Sequence, residues 1–354
     1  FLSSKVADFN FNIIEILLVT FFISLCFVVL SKKIANHIGA MDIPNERKVH
    51  REPIPRLGGL GIFLGLLVGY MLFGTVSVQM NSILIASFII LMTGIIDDIK
   101  PINALEKLIG QFLSAAVIVF YGGLLINDIS IFGTWINFGI LAYPITLIFI
   151  VAIMNVINLI DGLDGLAVGT CSIFFASVIV ICFLTNRIYN LDFTLALIML
   201  GSCLGFLYHN FHPATIFAGD SGALFLGLMI SVISLLGFKT TIITSVFIPI
   251  GILAVPILDT LFAIIRRLVN HKHIYDADKD HLHHQLLRLN FSHRNTVLII
   301  YGIEILFSIA SILYTIKGPH SIFYGRILIG ILFIITVIFV YKTNIIRSRK
   351  NKDK

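Results

Sequence analysis

Apolar residues in this chain come in long unbroken runs, with neither the one-sided stripe of a soluble helix nor the alternation of a half-buried strand. The runs fall at roughly 11–30, 57–74, 81–96, 106–121, 140–157, 166–184, 191–208, 222–236, 241–265, 296–315 and 322–341. Almost all are about 16 to 22 residues long, the length of helix that crosses the hydrocarbon of a bilayer. The pattern predicts an all-α integral membrane protein of about eleven transmembrane helices. The segment at 122–139, with Gly122, Gly123, Gly133 and Trp135, the chain's one tryptophan, has room for a small hairpin, although a plain interfacial anchor is the preferred reading.

Composition agrees with this pattern. Of 354 residues, 58% are hydrophobic and 12% charged, too apolar a balance for a soluble domain of that size. Cys26, Cys171, Cys182 and Cys203 all lie inside apolar runs without metal-ligand spacing and read as packing residues. No cleavable signal pattern is evident, and no internal boundary separates a second domain. The whole chain, 1–354, reads as one polytopic unit, with 1–10 an exposed lead-in and 343–354 a basic tail. The net charge of +6 belongs to no soluble basic module, which argues against nucleic acid as a partner. It follows membrane orientation instead. Twenty of the 25 Lys and Arg residues fall in alternate loops and the tail. By the bias of positive charge toward the inner side, the amino terminus is outside and the carboxyl terminus cytoplasmic.

Unusual polar groups gather in those same cytoplasmic loops. Span three ends in Asp97-Asp98-Ile-Lys100-Pro101-Ile-Asn103. Adjacent acids repel one another unless a cation lies between them, so this is a divalent-cation or general-base site, or else a solvated helix end. Between spans five and six stands Asn155-Val-Ile-Asn158-Leu-Ile-Asp161-Gly-Leu-Asp164-Gly165, whose three-residue spacing puts Asn158, Asp161 and Asp164 on one side of a helical turn. Ionisable groups at membrane depth cost about 2.5–3.5 kcal/mol each on insertion scales, so they need compensation. Carboxylate and carboxamide oxygens suit Mg2+ or Mn2+, which borrow further oxygens from a bound phosphate. Asp220, in Phe217-Ala218-Gly219-Asp220-Ser221-Gly222, precedes an apolar run, where it can cap free amides or reach a metal.

The longest inner loop holds Asp280-His281-Leu282-His283-His284 among Arg266, Arg267, Lys279 and Arg288. Nothing completes a tetrahedral zinc site. The group reads as a phosphate clamp or as a solvated amphipathic helix. The first inner loop carries Asn45 to Glu52, including Lys48, and closes in Pro55-Arg56-Leu57-Gly58-Gly59, an ordered end that suggests a fixed loop.

Together, Asp97-Asp98 with Asn103, the stretch from Asn155 to Gly165, Phe217 to Gly222, His281 to His284 and the Pro55–Gly59 entry resemble the polyprenyl-phosphate N-acetylhexosamine-1-phosphate transferases over nearly the whole chain. The similarity is greatest to the bacterial branch that starts teichoic acids, O-antigens and related polymers. The sister branch, which transfers phospho-N-acetylmuramoyl-pentapeptide, usually shows three consecutive histidines, and here Leu282 interrupts them. The resemblance implies an enzyme of the bacterial plasma membrane. It would use UDP-N-acetylglucosamine, undecaprenyl phosphate and Mg2+ or Mn2+, with its catalytic loops cytoplasmic, and it leaves room for a homodimer. It implies that Asn158 and Asp220 meet the metal, and that Asp97 positions or deprotonates the lipid phosphate with Asp98 in support. Asp161 joins these catalytic acids with the least defined role. Asp164 and Phe217 would hold uracil, and Arg267, His281, His283 and His284 the diphosphate or sugar. Lys48 and Asn103 are further substrate-binding candidates. An ion-coupled transporter is the competing class. Its buried acids are expected near helix centres, and Glu304 alone fits that pattern.

Overall fold

The computed structural model describes residues 13–43, 52–131, 134–188, 190–239, 247–269, 281–316 and 319–342. The chain divides into two compact units, 1–246 and 247–354.

In the first unit α1 (Ile13–Ile38) leads through a minimal ladder, β1 (Met41–Asp42) with β2 (Ile54–Pro55), into α2 (Gly58–Phe73). Then follow α3 (Val78–Ile99), α4 (Ala104–Ala116, continued by a π-turn at Val117–Tyr121), strands β3 (Asp128–Ile131) and β4 (Thr134–Asn137), and helices α5 (Ala142–Ile160), α6 (Leu166–Leu184), α7 (Leu191–Asn210) and α8 (Gly219–Lys239). Helix α8 is the centre: its residues 221–236 are all buried, and α2, α3, α5, α6 and α7 pack around it. Small residues let these helices approach, as apolar attraction alone cannot select partners in lipid. On α1 the buried positions Ile16, Thr20, Ser24, Val28, Ser31 and Ala35 form a narrow stripe against α2 and α7, while Ile14, Leu18 and Phe22 are exposed on its other side. At Gly94 of α3, a Cβ would come within 2.3 Å of the Ser221 Cα, so only glycine admits the start of α8 there. The turn between α6 and α7 is closed by an ion pair between half-buried Arg187 and buried Asp192, with the Cys182 thiol donating to the same carboxylate at 3.6 Å.

The second unit consists of α9 (Phe247–Ile252), α10 (Ala254–Val269), α11 (Leu282–Arg288), α12 (His293–Thr315) and α13 (Pro319–Lys342). Glu304 is buried midway along α12, with Ser308 and Ser311 also buried further along the helix.

Eight helices among the described residues are long and apolar enough to cross a membrane, against about eleven expected. All eleven apolar runs are helical where described, and two of them fall short of a full span for local reasons. Helix α2 has 16 residues, about 24 Å at 1.5 Å per residue, less than the roughly 30 Å of a hydrocarbon core. Helix α13, with 24 residues, covers the run at 322–341. The run at 241–265 is not one helix: α9 ends at Ile252 and α10 begins at Ala254. Pro256 has no N–H for the Ile252 carbonyl and its ring crowds that carbonyl, which puts the break there. Two short ladders also qualify the all-α expectation. The preferred reading of 122–139 as a plain anchor is corrected by the antiparallel pairing of β3 with β4, register Asp128↔Asn137 to Ile131↔Thr134, where β-branched Ile129, Ile131, Thr134 and Ile136 favour extended backbone.

Candidate active site

The polar groups of the first unit converge where helices end. Asp97 and Asp98 close α3, Asn158 lies in the last turn of α5, Asp161 caps that helix, and Asp220 opens α8. Asp98 is buried and accepts the backbone N–H of Asp220 (2.9 Å) and Ser221 (3.1 Å), so a side chain from α3 satisfies free amides of the first turn of α8. Gly219 sits at φ +69°, where a Cβ would strike the Arg56 carbonyl and the Asp98 carboxylate. The loop before α2 is stitched to this point: Phe217 N–H donates to the Pro55 carbonyl (2.8 Å), and Gly58 and Gly59 N–H donate to the Phe217 and Ala218 carbonyls (both 3.0 Å).

Two cations answer the acids. Arg56 reaches Asp42 (3.3 Å), Asp98 (3.6 Å) and Asp220 (3.9 Å). Burial opposes its charge, but Asp98, Asp42, Asp220 and Asp161 outweigh burial and hold the guanidinium above its usual range. Lys107, in the first turns of α4, bridges Asp97 (3.1 Å) and Asp220. Asn158 Nδ2 donates to Asp220 Oδ1 at 3.1 Å, which leaves its carboxamide oxygen as a donor atom for a metal. Burial first, and then the Asp220 charge, push the Asp161 carboxyl up to about 7, with Arg56 pulling the other way. Five carboxylates (Asp42, Asp97, Asp98, Asp161, Asp220) thus face two cations (Arg56, Lys107). This excess of acids among hard oxygen donors fits Mg2+ or Mn2+.

Asp164 lies apart from this knot of charge. It pairs with His212 (2.7 Å) and accepts the Ala214 N–H (3.2 Å), while Asn210 accepts the Gly165 N–H (3.2 Å) and donates to the Ile216 carbonyl (2.9 Å). The turn carrying Asp164 and the loop carrying Phe217 are therefore fixed together. Asn103 is the N-cap of α4: its side chain accepts the Glu106 N–H and the Glu106 carboxylate accepts the Asn103 N–H, a reciprocal capping box on the exposed rim. Lys48 lies outside the described residues.

In the second unit, Asp259 of α10 accepts from His281 Nδ1 (3.0 Å) and from the Leu282 N–H (2.8 Å). The carboxylate thereby fixes the start of α11, and the His281 and His283 rings stack in parallel at 5.8 Å. His283 and His284 lie 4.2 Å apart. Burial, reinforced by His284, pushes His283 down to about 3, so it is a neutral hydrogen-bonding group. Arg266 and Arg267 are buried near the end of α10.

The structure thus brings together Asp97, Asp98, Asp161, Asn158 and Asp220, and separately groups Asp164 with the Phe217 loop, and His281 with His283 and His284. It adds Lys107, which the sequence reading counts only as inner-side charge, and Asp259, which that reading passes over, and it gives Arg56 of the Pro55–Gly59 entry its acidic partners. Lys107 and Asp259 carry the signal that exposes the others, an ionisable side chain within or beside an apolar run.

Comparison with known proteins places this arrangement. Residues 80–238 match the model of glycosyl transferase family 4. The chain is 41% identical over 341 residues, 94% of each chain, to a probable undecaprenyl-phosphate N-acetylglucosaminyl 1-phosphate transferase of Bacillus subtilis. It is 32% identical over 335 residues, 84% of this chain and 82% of the relative, to a decaprenyl-phosphate N-acetylglucosaminephosphotransferase of Mycobacterium tuberculosis. An undecaprenyl-phosphate alpha-N-acetylglucosaminyl 1-phosphate transferase of Salmonella typhimurium is 28% identical over 289 residues, 79% of this chain and 78% of the relative. The matched segment runs from α3 to α8 and so contains every acid of the converging cluster, and the chain belongs to the polyprenyl-phosphate N-acetylhexosamine-1-phosphate transferases of glycosyl transferase family 4.

Proposed function

We propose that this enzyme transfers N-acetylglucosamine-1-phosphate from UDP-N-acetylglucosamine to undecaprenyl phosphate. The products are undecaprenyl-diphosphate-N-acetylglucosamine and UMP, the first membrane step of a cell-envelope polymer such as wall teichoic acid. The reaction belongs on the cytoplasmic face of a bacterial plasma membrane. The observation that carries the reading is the convergence of Asp97, Asp98, Asn158 and Asp220 with Lys107 and Arg56 at helix ends. Acids of an ion-coupled transporter belong near helix centres instead.

The chemistry joins two anionic phosphates, so its barrier is mostly charge repulsion and orientation. An oxygen of the lipid phosphate attacks the β-phosphorus of the UDP-sugar. The new P–O bond forms as the α–β anhydride bond breaks, and UMP leaves with the bonding electrons. A phosphomonoester has its second pKa near ~6, so the acceptor is largely dianionic and needs little from a base. Asp97 orients it or takes its remaining proton. Lys107 and Arg56, held at rest by carboxylates, neutralise charge as the phosphates arrive. Asn158 and Asp220 would hold Mg2+ or Mn2+, which supplies charge neutralisation for the diphosphate when bound. Asp164 and Phe217 take the uracil, and Arg267, His281, His283 and His284 the diphosphate or sugar.

Purified protein incubated with radiolabelled UDP-N-acetylglucosamine, undecaprenyl phosphate and Mg2+ is expected to yield labelled lipid and an equal amount of UMP. EDTA abolishes the product, and Asp97→Ala reduces it by roughly 10²-fold or more. No labelled lipid from any UDP-amino sugar would refute the reading.

A further inference from the structure

Below the charged cluster, one carboxamide pair lies inside the apolar helices. Gln111 of α4 is fully buried. Its Nε2 donates to Asn155 Oδ1 (3.2 Å), and Asn155 Nδ2 donates back to Gln111 Oε1 (2.7 Å) and to the Val151 carbonyl (2.8 Å). Both Asn155 amide hydrogens and its oxygen are thereby engaged. Asn155 has no amide hydrogen left for a ligand unless the pair is broken.

The position of the pair gives it a role. Gln111 is four residues beyond Lys107 on α4, and Asn155 three residues before Asn158 on α5, so each amide shares a helix face with a site residue about one turn away. Lys107 and Asn158 both end on the Asp220 carboxylate of α8. The two helices that deliver them are joined at this level by the reciprocal bond. Displacing either helix would separate Lys107 or Asn158 from Asp220, and a displacement of about 1 Å at a reacting centre can cost 10²-fold in rate.

We propose that the Gln111–Asn155 amide pair is a positioning device for the phosphotransfer, setting the spacing of α4 and α5 so that Lys107 and Asn158 converge on Asp220. The proposal rests on the function given above. The role asks for no contact of either amide with a substrate. Their effect passes through Lys107 and Asn158.

The test uses the full chain in detergent or nanodiscs. Gln111→Met, close in volume but unable to pair, is expected to lower kcat roughly tenfold or more with the KM for UDP-N-acetylglucosamine within about twofold of wild type. The exchanged pair Gln111→Asn with Asn155→Gln keeps one carboxamide of each length and recovers most of the lost kcat. A Gln111→Met enzyme of wild-type kcat overturns the proposal, as does an exchanged pair that folds yet is no faster than Gln111→Met. An inactive wild type overturns the assigned reaction and leaves the pairing readable separately. The unfolding temperatures of Gln111→Met, Asn155→Leu and their combination are then non-additive if the amides are coupled, and additive if they are not.

Discussion

At the scale of single residues, the site is a balance of charges that no one position reveals. Lys107 stands between Asp97 and Asp220, so Lys107→Met removes a cation both from the resting acids and from the transferred phosphate. We expect kcat to fall by roughly 10²-fold, the usual loss of one electrostatic stabiliser, measured as UMP release at saturating substrates; retention of a third or more of wild-type kcat would exclude this role. Asp161 gives a pH signature. With its carboxyl pushed up to about 7, the folded protein holds that proton while the unfolded chain gives it up near ~4. Ionisation therefore costs stability progressively as pH rises from about 4 to 7, with the full cost above 7. In EDTA, Asp161→Asn should flatten the fall in unfolding temperature between pH 5 and 8, and an unchanged slope would remove Asp161 from the buried cluster. The acids were legible because carboxylates between apolar runs have few ordinary explanations. The ion pairs of Lys107 and Arg56 with those acids were not, since a cation at the inner side also has an ordinary explanation in membrane orientation and its partners lie far off in the sequence. Asp164's partner His212 is 48 positions away in the sequence, a pairing that residue spacing cannot supply.

At the scale of elements, every apolar run was legible as a helix, and the exceptions come from chemistry that hydropathy does not count. The break between α9 and α10 follows from one missing N–H at Pro256, whose six neighbours on either side leave the run's mean hydropathy high. The central position of α8 was hidden for a related reason. Its run looks like the others, and what sets it apart is close approach at glycines of α2 and α3. This yields a test of packing. In Gly94→Val the new side chain meets backbone atoms of Ser221, which cannot rotate away as a side chain can. Overpacking ordinarily costs about 1–3 kcal/mol, and here it also pushes on the turn that Asp98 caps. Gly94→Val should lower the unfolding temperature and abolish transfer, whereas Gly302→Ala on α12, where a Cβ meets nothing within 4 Å, should leave the unfolding temperature within a degree or two of wild type. Equal behaviour of the two variants would refute the close contact of α3 with α8.

At the scale of the molecule, the proposed function requires the converging acids to face the compartment that holds the nucleotide-sugar, so orientation is the property that would join fold to function. The orientation expected from the distribution of Lys and Arg would put the ends of α1, α3, α5 and α7 that lead toward the acids on the inner side. The hairpin of β3 and β4, beyond the far end of α4, then belongs outside. Both positions needed to test this lie in the first unit: Asn36, exposed in the last turns of α1, and Asn137, exposed at the end of β4. The native thiols give a low background, because Cys171, Cys182 and Cys203 are buried and Cys26 lies within the membrane-length α1. In a Cys26→Ser parent, a membrane-impermeant maleimide applied to intact cells should label Asn137→Cys and spare Asn36→Cys, which becomes reactive once the membrane is opened. The opposite pattern would place Asp97, Asp98 and Asp220 outside, away from any cytoplasmic UDP-sugar. It would overturn the orientation and the donor assignment together, because a charge-stabilising site is of use only on the side where its anionic substrate is supplied.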